Sequence, residues 1–251
     1  MAANGEVRRV SDEILSRIVS GAYPAGLRLP SEADLGSQLA CGRSTVREAL
    51  RHLTGLGVVR SRRGSGAMVL DFRREGTPAL LPSYVLAGRF DRPAGALARE
   101  LLGVRTLVAL QAVRMAARYA DAAGIAEARA ILARAPALEA DRVAHSQNEL
   151  ELFRALVCAS GIWPAVWLAN VFWAPMRELH GMLAGAVGAI APGYQADMAH
   201  LLDLIEIRNE LAAEAHLAAF FARVDETLLS ELEWVLEAAS MVAPTGKADR
   251  T

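Results

Sequence analysis

The chain has 251 residues, 53% of them hydrophobic, which is enough to bury a core and suits one small domain beside a larger one. Its 27 basic and 28 acidic residues leave a net charge of −1, so bulk charge marks no partner, and two cysteines, Cys41 and Cys158, are too few and too distant for a disulfide framework or a zinc site. No signal-type segment opens the chain and no apolar run reaches the roughly eighteen residues of a membrane span, so the expectation is a cytoplasmic protein without a membrane partner. In chain order, Val7, Val10, Ile14 and Ile18 repeat at helical spacing over residues 6–20 and predict a first helix, stopped by Gly21. Ser31 with Asp34 three residues on reads as a capped helix start, and Leu35 and Leu39 share one face. After the turn Ala40, Cys41 and Gly42, a further helix opens at Arg43, turning Val46, Leu50, Leu53 and Leu56 inward and Arg43, Arg47 and Arg51 outward. Two β-prone stretches, 58–62 and 67–70, flank Arg63, Gly64, Ser65 and Gly66, whose glycines permit a tight positive-φ turn.

Helix, turn, helix and basic wing in that order predict a winged helix-turn-helix that lies on double-stranded DNA. The start of its second helix meets base edges, because arginine can bind guanine bidentately, hydroxyls reach base or phosphate, and helix N-termini attract phosphate. Arg43, Ser44, Thr45 and Arg47 occupy that end. Charge distribution agrees: residues 1–75 hold 12 arginines against 8 acidic residues, whereas the remainder holds 15 basic against 20 acidic.

Beyond residue 71 apolar periodicity lapses, and Gly76, Pro78 and Pro82 read as a hinge. Helical periods then predict helices near 97–120, 125–134, 138–160, 164–187, 194–207, 210–222 and 225–241, with Asn209 and Asp225 as N-caps. The expected domains are a winged helix-turn-helix over 1–72, a linker over 73–82, an all-α effector-binding and dimerisation domain over 83–243, and a tail over 244–251. The fold class is mainly α, a winged helix-turn-helix with a small β-wing followed by an all-α helical bundle.

The pattern I-x-x-G-x-Y-x-x-G-x-x-L-P-S-E-x-x-L from Ile18 to Leu35, followed by G-R-S-T-V-R-E-A-L-R-x-L from Gly42 to Leu53, resembles the N-terminal domain of GntR-family bacterial transcription regulators. The resemblance implies that Arg43, Ser44, Thr45 and Arg47 are the DNA contacts and that Arg63 and Gly64 at the wing tip enter the minor groove. Ala33 stands where many members carry arginine, so one usual DNA contact is missing.

The helical remainder resembles the FCD effector domain of the FadR subfamily through Val104–Arg105, the run FRALVCASG from Phe153 to Gly161, the leucines leading into Arg208–Asn209, and Phe220–Phe221. Many members hold a divalent metal with an aspartate and three histidines. The matching positions here are Glu149, Phe153, Met198 and Phe220, which make no plausible metal cage. His200 lies two positions, about 200°, from Met198 and should point away from a site that Met198 enters.

These residues imply an apolar, metal-free chamber lined by Phe153, Met198 and Phe220 with Trp163, Trp167 and Phe172, and with Glu149 on its wall. The resemblance further implies that Arg105 matches the arginine that meets the effector's carboxylate in the family, so it is the expected anchor for a fatty acid, an acyl-CoA or an aromatic acid. Core filling is the competing reading for the aromatic residues. His52 is expected on an exposed flank, and His145, His180 and His216 as surface or capping groups. No nucleophile motif, phosphate loop or HExxH pattern occurs, so no catalytic residue or cofactor is expected. The resulting expectation is a homodimeric, effector-responsive regulator, most simply a repressor, on a palindromic operator. Its alternatives are a metal-dependent sensor of small organic acids, a constitutive DNA-binding dimer, or an enzyme built on the bundle.

Overall fold

Val10, Ile14 and Ile18 recur every fourth residue, and the helix they form, α1 (Ala2–Val19), buries all three in a core shared with α3 (Arg43–Gly55). Between them, α2 (Glu32–Gln38) starts where the Ser31 Oγ accepts from the Asp34 N–H at 3.2 Å and donates to its carboxylate at 2.6 Å, a cap worth about 1 kcal/mol. The α2–α3 turn is tight. A Cβ on Gly36 would lie 2.9 Å from the Cys41 carbonyl oxygen, so glycine permits the close approach. Val46, Ala49, Leu50 and Leu53 turn one face of α3 into this core.

Strands β1 (Val59–Arg62) and β2 (Gly66–Val69) pair antiparallel from Val59 opposite Val69 to Arg62 opposite Gly66. Arg28 forms a bridge with Met68, so the segment before α2 braces the wing. The computed structural model describes residues 2–62, 66–184 and 190–242. Arg63 and Gly64, expected at the wing tip, and the expected tail lie outside the described residues.

The expected linker is largely structured. Asp71 caps α4 (Phe72–Glu75), and α5 (Leu80–Ala87) buries Leu80, Tyr84 and Val85 and packs on α1 before Gly88 ends it in the left-handed region. Pro82 reads as a breaker in sequence but occupies the first turn of α5, where the missing N–H has no helical partner to lose. By its contacts the chain forms two units, the described residues up to 91 with those from 238 onward, and residues 92–237, so the segment following residue 72 groups with the first unit.

Gly57 adopts φ +75°, and a Cβ there would lie 2.1 Å from the Glu75 carbonyl oxygen. Gly57→Ala is therefore expected to cost about 2 kcal/mol through left-handed strain and this clash. A lowered urea midpoint at unchanged slope would show it, and an unmoved midpoint would contradict the packing of α4 on this turn.

The second unit is all helix among the described residues. It contains α6 (Ala94–Tyr119), α7 (Ala122–Leu132), a 3₁₀ turn (Ala135–Leu138), α8 (Arg142–Ala159), α9 (Trp163–Leu183), α10 (Tyr194–Glu206) and most of α11 (Glu210–Val242). Val113 and Ala116 of α6, Ile125 and Leu132 of α7, Leu152 and Leu156 of α8, Met198 and Leu202 of α10, and Leu217 and Phe220 of α11 form one core. Small residues let helices approach closely: a Cβ on Gly124 would meet that of Ala159 at 2.4 Å.

Asn209 caps the last helix as expected, its Oδ1 accepting from the Ala212 N–H at 3.2 Å. Asp225 does not open a helix. It sits inside α11, which runs unbroken where two helices were expected, and its carboxylate is drawn to Arg105.

Candidate functional site

Two places in the molecule gather the residues singled out by the sequence. In the first unit, Gly42 opens α3 without a side-chain cap, leaving the first-turn N–H groups free of side-chain competition. Arg43 and Ser44 are exposed there, Thr45 is half-buried, and Arg47 is exposed one turn on. This is the geometry required to offer cationic, hydroxyl and backbone donors together to a phosphate-lined groove.

Sequence reasoning missed the partner of Arg47. Its guanidinium is held by Glu32, with Nη2 donating to Oε2 at 2.8 Å and Nε reaching both carboxylate oxygens at 3.2 Å. Those bonds, opposed by slight burial and aided by the charges of Arg47, Arg43 and Arg51, hold the Glu32 carboxyl below its usual range. Arg51 in turn is engaged by Glu48. Among the described residues, no ion pair engages Arg43.

In the second unit, side chains from five helices meet. Arg105 of α6 lies over the Phe221 ring, 4.0 Å from its centroid, while its Nη2 donates to Asp225. Phe153 of α8 is half-buried and meets Phe221 at 6.3 Å. Tyr194 of α10 packs against His145 of α8 at 5.0 Å and Phe220 of α11 at 6.2 Å. His180 of α9 shares a hydrogen bond with Ser146 of α8, Nδ1 to Oγ at 2.8 Å.

This arrangement corrects the apolar-chamber expectation. Met198 is 0% exposed and Phe220 2%, both inside the continuous core, so they fill it rather than line an opening. Trp163 and Trp167 project from the surface at 71% and 64% exposure. What gathers at Arg105 is instead an aromatic ring and a carboxylate together, Phe221 and Asp225, and helical period could not show the carboxylate because it registers hydrophobic faces only.

Burial pushes the Glu149 carboxyl above its usual range despite the opposing charge of Arg105. Burial, reinforced by Glu149, raises Tyr194. His145, expected at the surface, is buried, which pushes its imidazole down against an opposing hydrogen bond to Ala135. His200 is exposed, as Met198 facing inward requires, and its ring meets that of His216 at 4.8 Å, while the His216 Nε2 lies 2.9 Å from the Asp197 carbonyl oxygen.

The positions that hold metal in the FadR subfamily do not fit one here, since phenylalanine offers no lone pair and Met198 is enclosed by hydrocarbon. Among the described residues no group of three or more His, Cys, Asp or Glu is placed to hold a metal ion. No described helix is long and apolar enough to cross a membrane.

His180 is pushed down to about 4, first by burial and then by Arg105. Between that value and the ordinary 6.5, the unfolded chain binds a proton that the folded chain rejects, so acidification through this window destabilises the fold. Lowering pH from 6.5 to 4.5 should cost roughly 2 kcal/mol through His180. Glu149 acts oppositely: its raised value stabilises in acid, and that contribution is lost as pH rises through it. Urea unfolding at those two pH values should therefore show a smaller acid loss in His180→Gln than in the parent, and equal losses would contradict this burial.

Residues 6–69 match the family described as bacterial regulatory proteins, gntR family. The HTH-type transcriptional regulator Mce2R of Mycobacterium tuberculosis is 41% identical over 73 residues, which are 29% of this chain and 30% of that protein. The chain thus covers under a third of that relative's length. A fatty acid metabolism regulator protein of Serratia proteamaculans is 30% identical over 148 residues, 59% of each chain. The solved structure of Lar, described as controlling the expression of the Listeria monocytogenes agr system, shares the fold at 15% identity and a TM-score of 0.54, covering 89% of this chain and 96% of that one. The chain thus carries a gntR-family domain over residues 6–69, and helices follow it in the rest of the chain.

Proposed function

We propose that the chain is a ligand-responsive transcription regulator that binds a palindromic operator as a homodimer and is released by an apolar carboxylate or acyl-CoA. The observation that carries this reading is the exposed N-terminal turn of α3, where Arg43, Ser44, Thr45 and Arg47 stand together within a GntR-family domain. Arg63 and Gly64 complete the proposed DNA contacts at the wing. Similarity to a protein named for fatty acid metabolism supports an acid of that kind as effector.

Arg105, Glu149 and Phe153 are the proposed effector contacts, while Met198 and Phe220 support the site from within the core. Two exposed apolar stripes favour self-association: Val104, Leu107 and Val108 on α6, and Trp163, Trp167 and Val171 on α9. A dimer presents two α3 helices to one duplex, and its two-fold symmetry is mirrored in the operator. Effector binding acts by favouring an arrangement with lower affinity for DNA.

The reading is tested by measuring operator affinity of the full chain with and without saturating medium-chain fatty acid or acyl-CoA. A tenfold or greater loss of affinity is expected. Unchanged affinity across that series would favour a constitutive DNA-binding dimer.

A further inference from the structure

One face of α9 is exposed along most of its length but is built differently in its two halves. Trp163, Trp167, Asn170, Val171, Ala174 and Glu178 recur at spacings of three or four, so they share that face, and all are exposed. In the first half, Trp163, Trp167 and Val171 project into solvent. In the second half a groove of about 530 Å³ opens between α8 and α9, lined by Gln147 of α8 and by Trp173, Ala174, Arg177, Gly181 and Met182 of α9. Arg154 of α8 fixes one wall, with its guanidinium 5.2 Å from the centre of the Trp173 ring and its Nη2 donating to the Asn170 Oδ1 at 3.3 Å. Arg177 is exposed, and no ion pair engages it among the described residues. Projections and groove lie on one rigid rod, with Trp167 and Gly181 about 21 Å apart along the axis, so one copy cannot fill its own groove.

We propose that α9 pairs antiparallel with α9 of a second copy, Trp163 and Trp167 of each copy seating in the α8–α9 groove of the other. This rests on the reading of the chain as a homodimer and names the surface through which the dimer forms. A two-fold axis crossing the helix between Asn170 and Val171 sets Trp163 opposite Glu178 and Trp167 opposite Ala174, so bulk meets the groove throughout. Parallel pairing would stack tryptophan on tryptophan and leave both grooves empty. Arg177 then faces an indole ring, an attractive cation–π contact, and the Glu178 carboxylate offers an acceptor to the indole N–H. Two tryptophans bury roughly 150–250 Å² apiece, and the groove walls they cover add a comparable area, which approaches the roughly 800 Å² per copy of a stable interface. Because the same patch meets itself, the contact closes at two copies.

The test has two arms, both on the full chain. In sedimentation equilibrium the parent is expected to be a dimer, and Trp163→Ala with Trp167→Ala should raise the dissociation constant at least a hundredfold. Helical circular dichroism should be unchanged, because both side chains are exposed. The second arm places single thiols in a Cys41→Ser, Cys158→Ser background. Val171→Cys, beside the axis, should oxidise to a cross-linked dimer, whereas Trp163→Cys, about 22 Å from its own counterpart, should not. Trp163→Cys combined with Glu178→Cys should cross-link. A parent dimer left intact by the double tryptophan variant would overturn the α9 pairing and leave the homodimer reading standing. Cross-linking of Trp163→Cys to itself as readily as Val171→Cys would overturn the antiparallel register. A monomeric parent would overturn the pairing and the homodimer reading together.

Discussion

Arg43→Ala is expected to weaken specific duplex binding by the full chain about 10- to 100-fold, on the order of 1–3 kcal/mol, the scale of one bidentate base contact. Arg43 is the first residue of α3, exposed and engaged by no ion pair among the described residues, so its guanidinium can meet a base without breaking a bond. A base contact and a phosphate contact leave different traces. Loss of the first relaxes preference at one operator position, whereas loss of the second lowers affinity on all sequences and reduces the salt slope by about one. Retained affinity and preference in Arg43→Ala, measured by competition against random duplex, would contradict the assigned docking.

Arg47 should behave differently because Glu32 already holds it. Its removal deletes a donor and also leaves an acidic side chain without a counter-charge beside a polyanion. Changing Glu32 to glutamine in the Arg47→Ala background is therefore expected to restore part of the lost binding. No restoration would mean that Glu32 does not face the phosphates.

Met198→Ala is expected to cost about 2–5 kcal/mol of stability, the range for truncating a fully buried aliphatic or thioether side chain. The residue is 0% exposed and sits in the core with Leu201, Leu202 and Ile205 of its own helix and Leu217 and Phe220 of α11. Removing its outer atoms leaves a void that these helices close only in part. Had Met198 lined an open ligand chamber, truncation would cost little stability and much effector affinity. Urea unfolding with the midpoint lowered at unchanged slope is the expected signature. A variant as stable as the parent would reinstate the chamber.

The DNA-binding domain was legible because its signals are local. Ser31 with Asp34, the short turn at Cys41 and Gly42, and the four-residue repeat of Val46, Leu50 and Leu53 each specify structure within a few residues. The Glu32–Arg47 pair spans fifteen positions and two helices, so no window of sequence contains it. Pro82 reads as a breaker because a proline in the first turn of a helix and one in a loop look the same without the fold around them.

Asp225 reads as a cap in sequence because aspartate favours helix starts, but the charge of Arg105, 120 residues away, gives it a place inside α11. The interior site was the least legible. Positions aligned to a metal-binding family point to Phe153, Met198 and Phe220, whereas the buried polar atoms without a partner among the described residues include the Tyr194 hydroxyl, the Arg105 Nε and the His145 Nδ1, which emerge only when α6, α8, α10 and α11 are packed together.

The central claim is that the exposed start of α3 reads a DNA sequence. It is tested most directly by incubating the full chain with a random duplex library and sequencing what it retains at physiological salt. The account predicts enrichment of a two-fold-symmetric site with half-sites about one helical turn apart, and loss of that enrichment in Arg43→Ala. Retention of duplexes without sequence preference, equal in parent and variant, would contradict it.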